Sequence, residues 1–131
     1  MGRILVIDDD RLLRVTVERI LQSEGHEVAS ACDGHEGLKR FRSDHFDLVA
    51  CDIFMPNMEG LETMREIRGL CAALPLIALA GRPAYAVGPG ADTDVLRMAG
   101  QLGGTTTLAK PFRRQELLAL VERCLQPEAG A

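Results

Sequence analysis

Four side chains stand at the ends of short apolar runs. Asp8 and Asp9 follow Arg3-Ile4-Leu5-Val6-Ile7, Asp52 ends Phe46-Asp47-Leu48-Val49-Ala50-Cys51, and Lys110 follows a third run just before Pro111. A charged group at such a place is anchored by a buried element yet faces solvent. In an open parallel sheet, ligands bind outside the carboxyl ends of the strands, where the strand order reverses. If the three runs are neighbouring strands, three acids and one amine converge there. Two carboxylates about 5 Å apart repel by roughly 3 kcal/mol at an effective dielectric of about 20, so three together call for a cation. Magnesium suits the set, because it takes oxygen ligands, needs few protein carboxylates and keeps waters that phosphate oxygens can replace. No His or Cys stands beside these acids in a pattern that favours a softer metal.

One carboxylate then has to do something other than bind metal if the site is to make a bond. Carboxylates can attack phosphorus and form an aspartyl phosphate. Asp52 is alone on its run and is the candidate nucleophile, whereas Asp8 and Asp9 form a pair suited to grip an ion. Lys110 would supply positive charge to the phosphoryl oxygens, and positioning does most of the rest. Taken singly, each residue has a plainer use: acids after a strand often cap a helix, and a lone lysine is often a solvated charge. The joint placement of all four at strand ends is what argues for chemistry.

The elements that must position them alternate along the chain, as in a parallel sheet with helices on both faces. The runs Ile4 to Ile7, Glu27 to Ala31, Asp47 to Cys51, Leu76 to Leu79 and Thr105 to Leu108 read as five strands. Leu12-Leu13, Val15-Thr16-Val17 and Ile20-Leu21 give a first helix an apolar stripe, with Arg14, Glu18 and Arg19 turned outward. Gly25 stands where a helix C-terminus would use a left-handed residue. Further helices are expected from Gly34 to Arg42, Leu61 to Arg68, Val95 to Leu102 (capped by Asp92, Thr93 or Asp94) and Arg113 to Leu125, closed by Pro127. The stretch from Gly81 to Ala91 is dense in Gly and Pro and reads as a loop. Residues 1–126 then form one domain, and 127–131 a short tail.

Composition narrows the classes of function. A chain of 131 residues is the size of one domain, and 47% apolar with 26% charged residues is ordinary for a globule with a core. A formal charge of −4, with the basic residues interleaved among acids, argues against direct binding of nucleic acid. Cys32, Cys51, Cys71 and Cys124 are scattered, without zinc or disulfide spacing, as expected of buried thiols in a reducing compartment. No apolar stretch approaches the ~18 residues of a membrane span, and the N-terminus is unlike a signal peptide, so a cytoplasmic location with no membrane partner is expected.

The segments Ile4-Leu5-Val6-Ile7-Asp8-Asp9-Asp10, Asp52-x-x-Met55-Pro56-x-x-x-Gly60 and Lys110-Pro111-Phe112 resemble, in order and over essentially the whole chain, the signature segments of the receiver domain of bacterial two-component response regulators. The resemblance implies a (βα)5 flavodoxin-like fold, an α/β doubly wound parallel sheet with strand order 2-1-3-4-5. It also implies a phosphoryl group taken from a histidine kinase or histidine phosphotransfer protein, and signalling by docking to a downstream protein. By that resemblance Asp52 is the phosphoacceptor, Asp8 and Asp9 with Asp52 and the backbone carbonyl of Phe54 hold Mg²⁺, and Lys110 contacts the phosphate. The module would be no turnover enzyme, only a catalyst of its own phosphotransfer and dephosphorylation. The Lys110-Pro111 bond resembles one that is often cis in the family, against about 5–6% of X–Pro bonds generally.

The chain departs from that pattern at the switch. Receivers usually carry Ser or Thr at the end of the fourth strand and an aromatic in the fifth; here Ala80 and Thr107 stand there. Losing a hydroxyl bonded to a charged phosphoryl group forfeits roughly 1.5–3 kcal/mol, about ten- to a hundredfold in a two-state equilibrium. The Gly/Pro loop in the same region, with Tyr85 as its aromatic, is expected to substitute for the lost pair. Two other classes compete. A haloacid-dehalogenase-type phosphatase would use Asp8-x-Asp10, but it wants Thr or Val where Leu12 stands and leaves Asp52 and Lys110 without a role. A receiver-like module that binds partners without phosphate would fit the broken relay, yet would keep three repelling acids to no purpose.

Overall fold

The computed structural model describes residues 1–56, 59–81 and 97–126. Five parallel strands, β1 (Arg3–Ile7), β2 (Glu27–Ala31), β3 (Leu48–Asp52), β4 (Leu76–Ala80) and β5 (Thr105–Ala109), form one sheet in the order β2-β1-β3-β4-β5. Each side of the strands faces a different apolar layer, as period-2 alternation requires when both faces are covered. Leu5, Ile7, Val49, Cys51 and Ala78 pack with Phe41 of α2 (Gly34–Ser43) and with Leu61, Met64 and Ile67 of α3 (Glu59–Leu70). Ile4, Val6, Leu48, Ala50, Ile77 and Leu79 pack with Val17 and Leu21 of α1 (Arg11–Ser23) and with Leu117, Leu120 and Val121 of the C-terminal helix, Arg114–Leu125. A fully buried Leu or Ile contributes about 1.5–3 kcal/mol, so these two layers are the main source of stability. The fold class, strand order and helices on both faces expected from the sequence are those observed.

Local chemistry explains where the elements begin and stop. The Asp10 carboxylate accepts from the backbone N–H groups of Leu12 and Leu13 and so starts α1, and Gly25, at φ 87°, ends the turn that follows it. Asp33 caps α2 by accepting from the Glu36 N–H at 2.7 Å. The Glu116 carboxylate accepts from the Arg113 N–H at 3.0 Å at the start of the last helix, which begins at Arg114 with Arg113 as its cap. At the base of the sheet, Arg68 Nη1 lies within donating distance of the carbonyls of Cys71, Ala72 and Leu74 and closes the turn between α3 and β4.

Several expectations shift. β3 starts at Leu48, because Asp47 turns its carboxylate to the Arg3 N–H at 2.8 Å, and it runs on to include Asp52. β4 and β5 each extend one residue further than expected, to Ala80 and Ala109. α3 starts at Glu59, two residues early, because the Glu59 side chain bonds the Gly34 N–H and ties the start of α3 to the start of α2. Leu12 is not in the apolar stripe of α1 but 77% exposed on its first turn, and Arg14 is half-buried rather than turned to solvent. Residues 97–100 are helical, in agreement with part of the expected fourth helix. The Asp92–Asp94 cap, the start of that helix, the loop with Tyr85 and the 127–131 tail lie outside the described residues. Among the described residues no helix is long and apolar enough to cross a membrane.

Among the described glycines, Gly60 makes the closest approach to other backbone: a Cβ built there would sit 1.9 Å from the Asp52 carbonyl oxygen and 2.8 Å from Ile53 Cα. Backbone cannot rotate out of the way, so Gly60→Ala should lower unfolding free energy by about 2–3 kcal/mol or more in urea titration. Gly69, also in α3, has nothing within 4 Å of its virtual Cβ. Gly69→Ala should instead stabilise by about 0.5–1 kcal/mol. Equal effects from the two substitutions would contradict the close contact.

Candidate functional site

The carboxyl ends of the three inner strands, β1, β3 and β4, step forward by one residue from each strand to the next. Ile7 of β1 pairs with both Ala31 of β2 and Cys51 of β3, so Asp8 and Asp52 leave adjacent strands side by side. The ladder continues one step past each strand: the Asp8 N–H donates to Ala31 O at 3.1 Å, Ile53 N–H to Leu79 O at 3.1 Å, and Lys110 N–H to Ala80 O at 2.8 Å. β4 separates β5 from β3, so Lys110 must reach across it. Gly81 makes room for that reach, since a Cβ there would lie 3.0 Å from Lys110 Cδ. The Lys110-Pro111 bond is cis.

The four groups singled out in the sequence converge. Ligand oxygens of Asp8, Asp9 and Asp52 all lie within 4.8 Å of one another. Lys110 Nζ is 2.9 Å from Asp8 Oδ2 and 3.3 Å from Asp52 Oδ2. Asp8 is fully buried and its Oδ1 accepts the Asp10 N–H at 2.9 Å; Asp52 is 5% exposed and its Oδ1 accepts the Phe54 N–H at 2.8 Å. Asp9 is exposed at the rim. Asp10, the third acid of the run, is used as the cap of α1, which removes it from the Asp8-x-Asp10 arrangement a phosphatase would need.

Burial dominates the electrostatics. It pushes the Asp52 carboxyl up to about 6, with the Lys110 ammonium pulling back down and the Asp8 charge pushing further up. Burial opposes the charge on Lys110, but the Asp52 and Asp8 carboxylates outweigh it and the net shift is upward. Three carboxylates against one ammonium leave an excess of two negative charges in a set of hard oxygen donors. That donor set fits a divalent ion such as Mg²⁺. Beneath it the Cys51 thiol is fully buried, which pushes its pKa well up and keeps it a protonated hydrophobe; its Sγ contacts the carbonyls of Asp52 and Gly60.

Ala80 and Thr107, expected to act in switching, lie in β4 and β5. Ala80 ends β4 and is buried, with Ala109 as its register partner; Thr107 sits in β5 opposite Ala78 and is exposed. Sequence reasoning overlooked Arg14, Gly81 and Glu59. Arg14 had a local signal, four residues after the Asp10 that starts its helix, but nothing in the sequence tells which way its guanidinium turns.

The family described as response regulator receiver domain matches residues 4–122. "Response regulator MprA" of Mycolicibacterium vanbaalenii is 38% identical over 133 aligned positions, covering 98% of this chain and 54% of that protein, and its Mycobacterium tuberculosis counterpart gives the same figures. The chain therefore spans about half the length of the curated relatives it matches. Among solved structures, the chemotaxis protein CheY4 of Vibrio cholerae superposes with a TM-score of 0.80 at 30% identity, covering 95% of this chain and 99% of that one. A CheY-like receiver domain protein from Methanospirillum hungatei gives 0.83 at 27% identity, covering 95% and 94%.

The raised carboxyl of Asp52 has a consequence for stability. The folded state holds this proton at about 6, whereas an unfolded Asp titrates near 3.9. Below about pH 4 the group is protonated in both states and costs nothing; as pH rises through 6 the buried charge becomes a full penalty on the folded state. In Mg²⁺-free buffer, Asp52→Asn should raise unfolding free energy at pH 7–8 by about 1–3 kcal/mol, a gain that fades below pH 4. Denaturant titrations across that range check it. A variant less stable than wild type at pH 8 would mean that attraction to Lys110, not burial, governs the site.

Proposed function

The chain belongs to the response regulator receiver domain family, and from that membership we propose that it takes a phosphoryl group onto Asp52 from a histidine kinase or histidine phosphotransfer protein. Receivers of this family are signalling domains of two-component systems, not turnover enzymes. The observation that carries the reading is the meeting of Asp8, Asp9, Asp52 and Lys110 in one pocket. We assign the unit to residues 1–126, working in the cytoplasm, with its output a docking event on another protein.

In the proposed transfer, a carboxylate oxygen of Asp52 forms a bond to phosphorus while the donor's P–N bond breaks, and the leaving imidazole takes up a proton. The Phe54 N–H holds Oδ1, so the carboxylate plane is fixed and Oδ2 is turned toward Lys110. Lys110 then faces the oxygens that arrive with phosphorus and offsets their charge. Asp8, Asp9, Asp52 and the Phe54 carbonyl are the proposed ligands of Mg²⁺, which when bound would neutralise the excess acid and let donor phosphate approach. Burial of Asp52 keeps water from competing for its lone pairs.

The output is proposed to be atypical. Ala80 offers no hydroxyl and Thr107 no ring, so the relay that would carry phosphorylation to the far face is weakened. A phosphate-independent docking module remains the second reading, favoured by these two residues alone. A partner affinity that is the same in wild type, phosphorylated wild type and Asp52→Asn would establish it.

Intact-mass analysis after treatment with a small phosphodonor tests the main reading. One phosphoryl group should appear on the wild type with Mg²⁺, none without Mg²⁺, and none on Asp52→Asn; labelling of Asp52→Asn to the wild-type extent would end it. Ala80→Ser restores a hydroxyl at the end of β4. It should strengthen the phosphorylation-dependent change in hydrogen exchange across β5 by about tenfold or more in the switching equilibrium.

A further inference from the structure

Asp8 is held from every side. Its N–H donates to Ala31 O at 3.1 Å, its Oδ1 accepts the Asp10 N–H at 2.9 Å, its Oδ2 accepts Lys110 Nζ at 2.9 Å, and its main-chain carbonyl accepts Arg14 Nη1 at 2.9 Å. The last of these comes from outside the pocket, from the first turns of α1. Among the described residues Arg14 forms no ion pair, so its half-buried guanidinium serves this one carbonyl. Asp9 has no comparable support. It is exposed, and no hydrogen bond to its side chain is present among the described residues. Where its carboxylate stands therefore depends on the backbone that carries it.

The peptide unit is planar, so fixing the direction of the Asp8 carbonyl also fixes the N and Cα of Asp9. We propose that Arg14 is a positioning residue for the cation pocket: by gripping the Asp8 carbonyl it sets the Asp8–Asp9 peptide plane and holds the Asp9 carboxylate within ligand distance of Asp8 and Asp52. This rests on the reading that the pocket takes Mg²⁺. The anchorage is reciprocal with the helix, since Asp10 caps α1 and the Arg14 N–H donates to Asp10 O at 2.9 Å. The acidic segment and the helix start are thus one rigid piece, and the guanidinium is the strut across it.

The sign of the effect separates positioning from simple electrostatics. Removing a positive charge from the rim of an acidic pocket should tighten binding of a divalent cation. Losing the strut should weaken it. Calorimetric titration of Mg²⁺ into wild type, Arg14→Gln and Arg14→Lys, with melting temperatures taken alongside and Asp9→Asn as reference, decides between them. Arg14→Gln, too short to reach the carbonyl, should bind Mg²⁺ about three- to tenfold more weakly; Arg14→Lys, which keeps a donor and the reach, should stay within about twofold of wild type. Unchanged or tighter binding by Arg14→Gln, or a fall in melting temperature with no change in affinity, overturns the proposal while leaving the pocket's assignment standing. A wild type that takes up no Mg²⁺ overturns both.

Discussion

A single ammonium shared between two buried carboxylates is the constraint on which the upper edge of this molecule depends. Asp8 and Asp52 leave adjacent strands, both out of contact with bulk water, and Lys110 stands 2.9 and 3.3 Å from them. Without it, two like charges would share a medium that solvates neither, a situation that costs several kcal/mol when one partner of a buried pair is removed. With it, and with Asp9 counted at the rim, the pocket is still two charges short of neutrality. The protein is therefore folded around a deficit that matches a divalent cation, while burial makes Asp52 a strong base for its class.

The backbone ladder produces this convergence. The register sets Asp8, the residue after β1, beside Asp52, the last of β3, and the alternation of side chains buries Ile7 and Cys51 directly beneath the acids. Close approach does the rest. Gly60 lets the first turn of α3 lie on the Asp52 carbonyl, and Gly81 lets the lysine stem cross a strand. Each glycine stands where a methyl group would displace a functional side chain or its backbone.

Much of this was readable in the sequence because it is written locally. Strand runs, the Gly25 turn, and the acids and lysine at run ends follow from period and neighbouring residue type, and the strands fell within one residue of their expected limits. What was not readable depends on contacts distant in sequence or on side-chain direction. Glu59 meets Gly34 across 25 residues, Asp47 turns to Arg3 across 44, and Arg14 bends over Asp8 rather than out to water. The three acids of the run Asp8-Asp9-Asp10 are one residue type, yet they are a buried acid, a rim acid and a helix cap. Only the direction of each side chain in space tells them apart.

The opposite pole of the sheet carries a cation of its own. Arg68 gathers the carbonyls of Cys71, Ala72 and Leu74 and lies against Gly104, whose φ of 73° starts the approach to β5. The guanidinium thus ties the last turn of α3 to the chain that enters β4. The consequence is a division of labour along the strands: backbone carbonyls gather round a cation at the end where β4 begins, and carboxylates gather round one at the end where it stops.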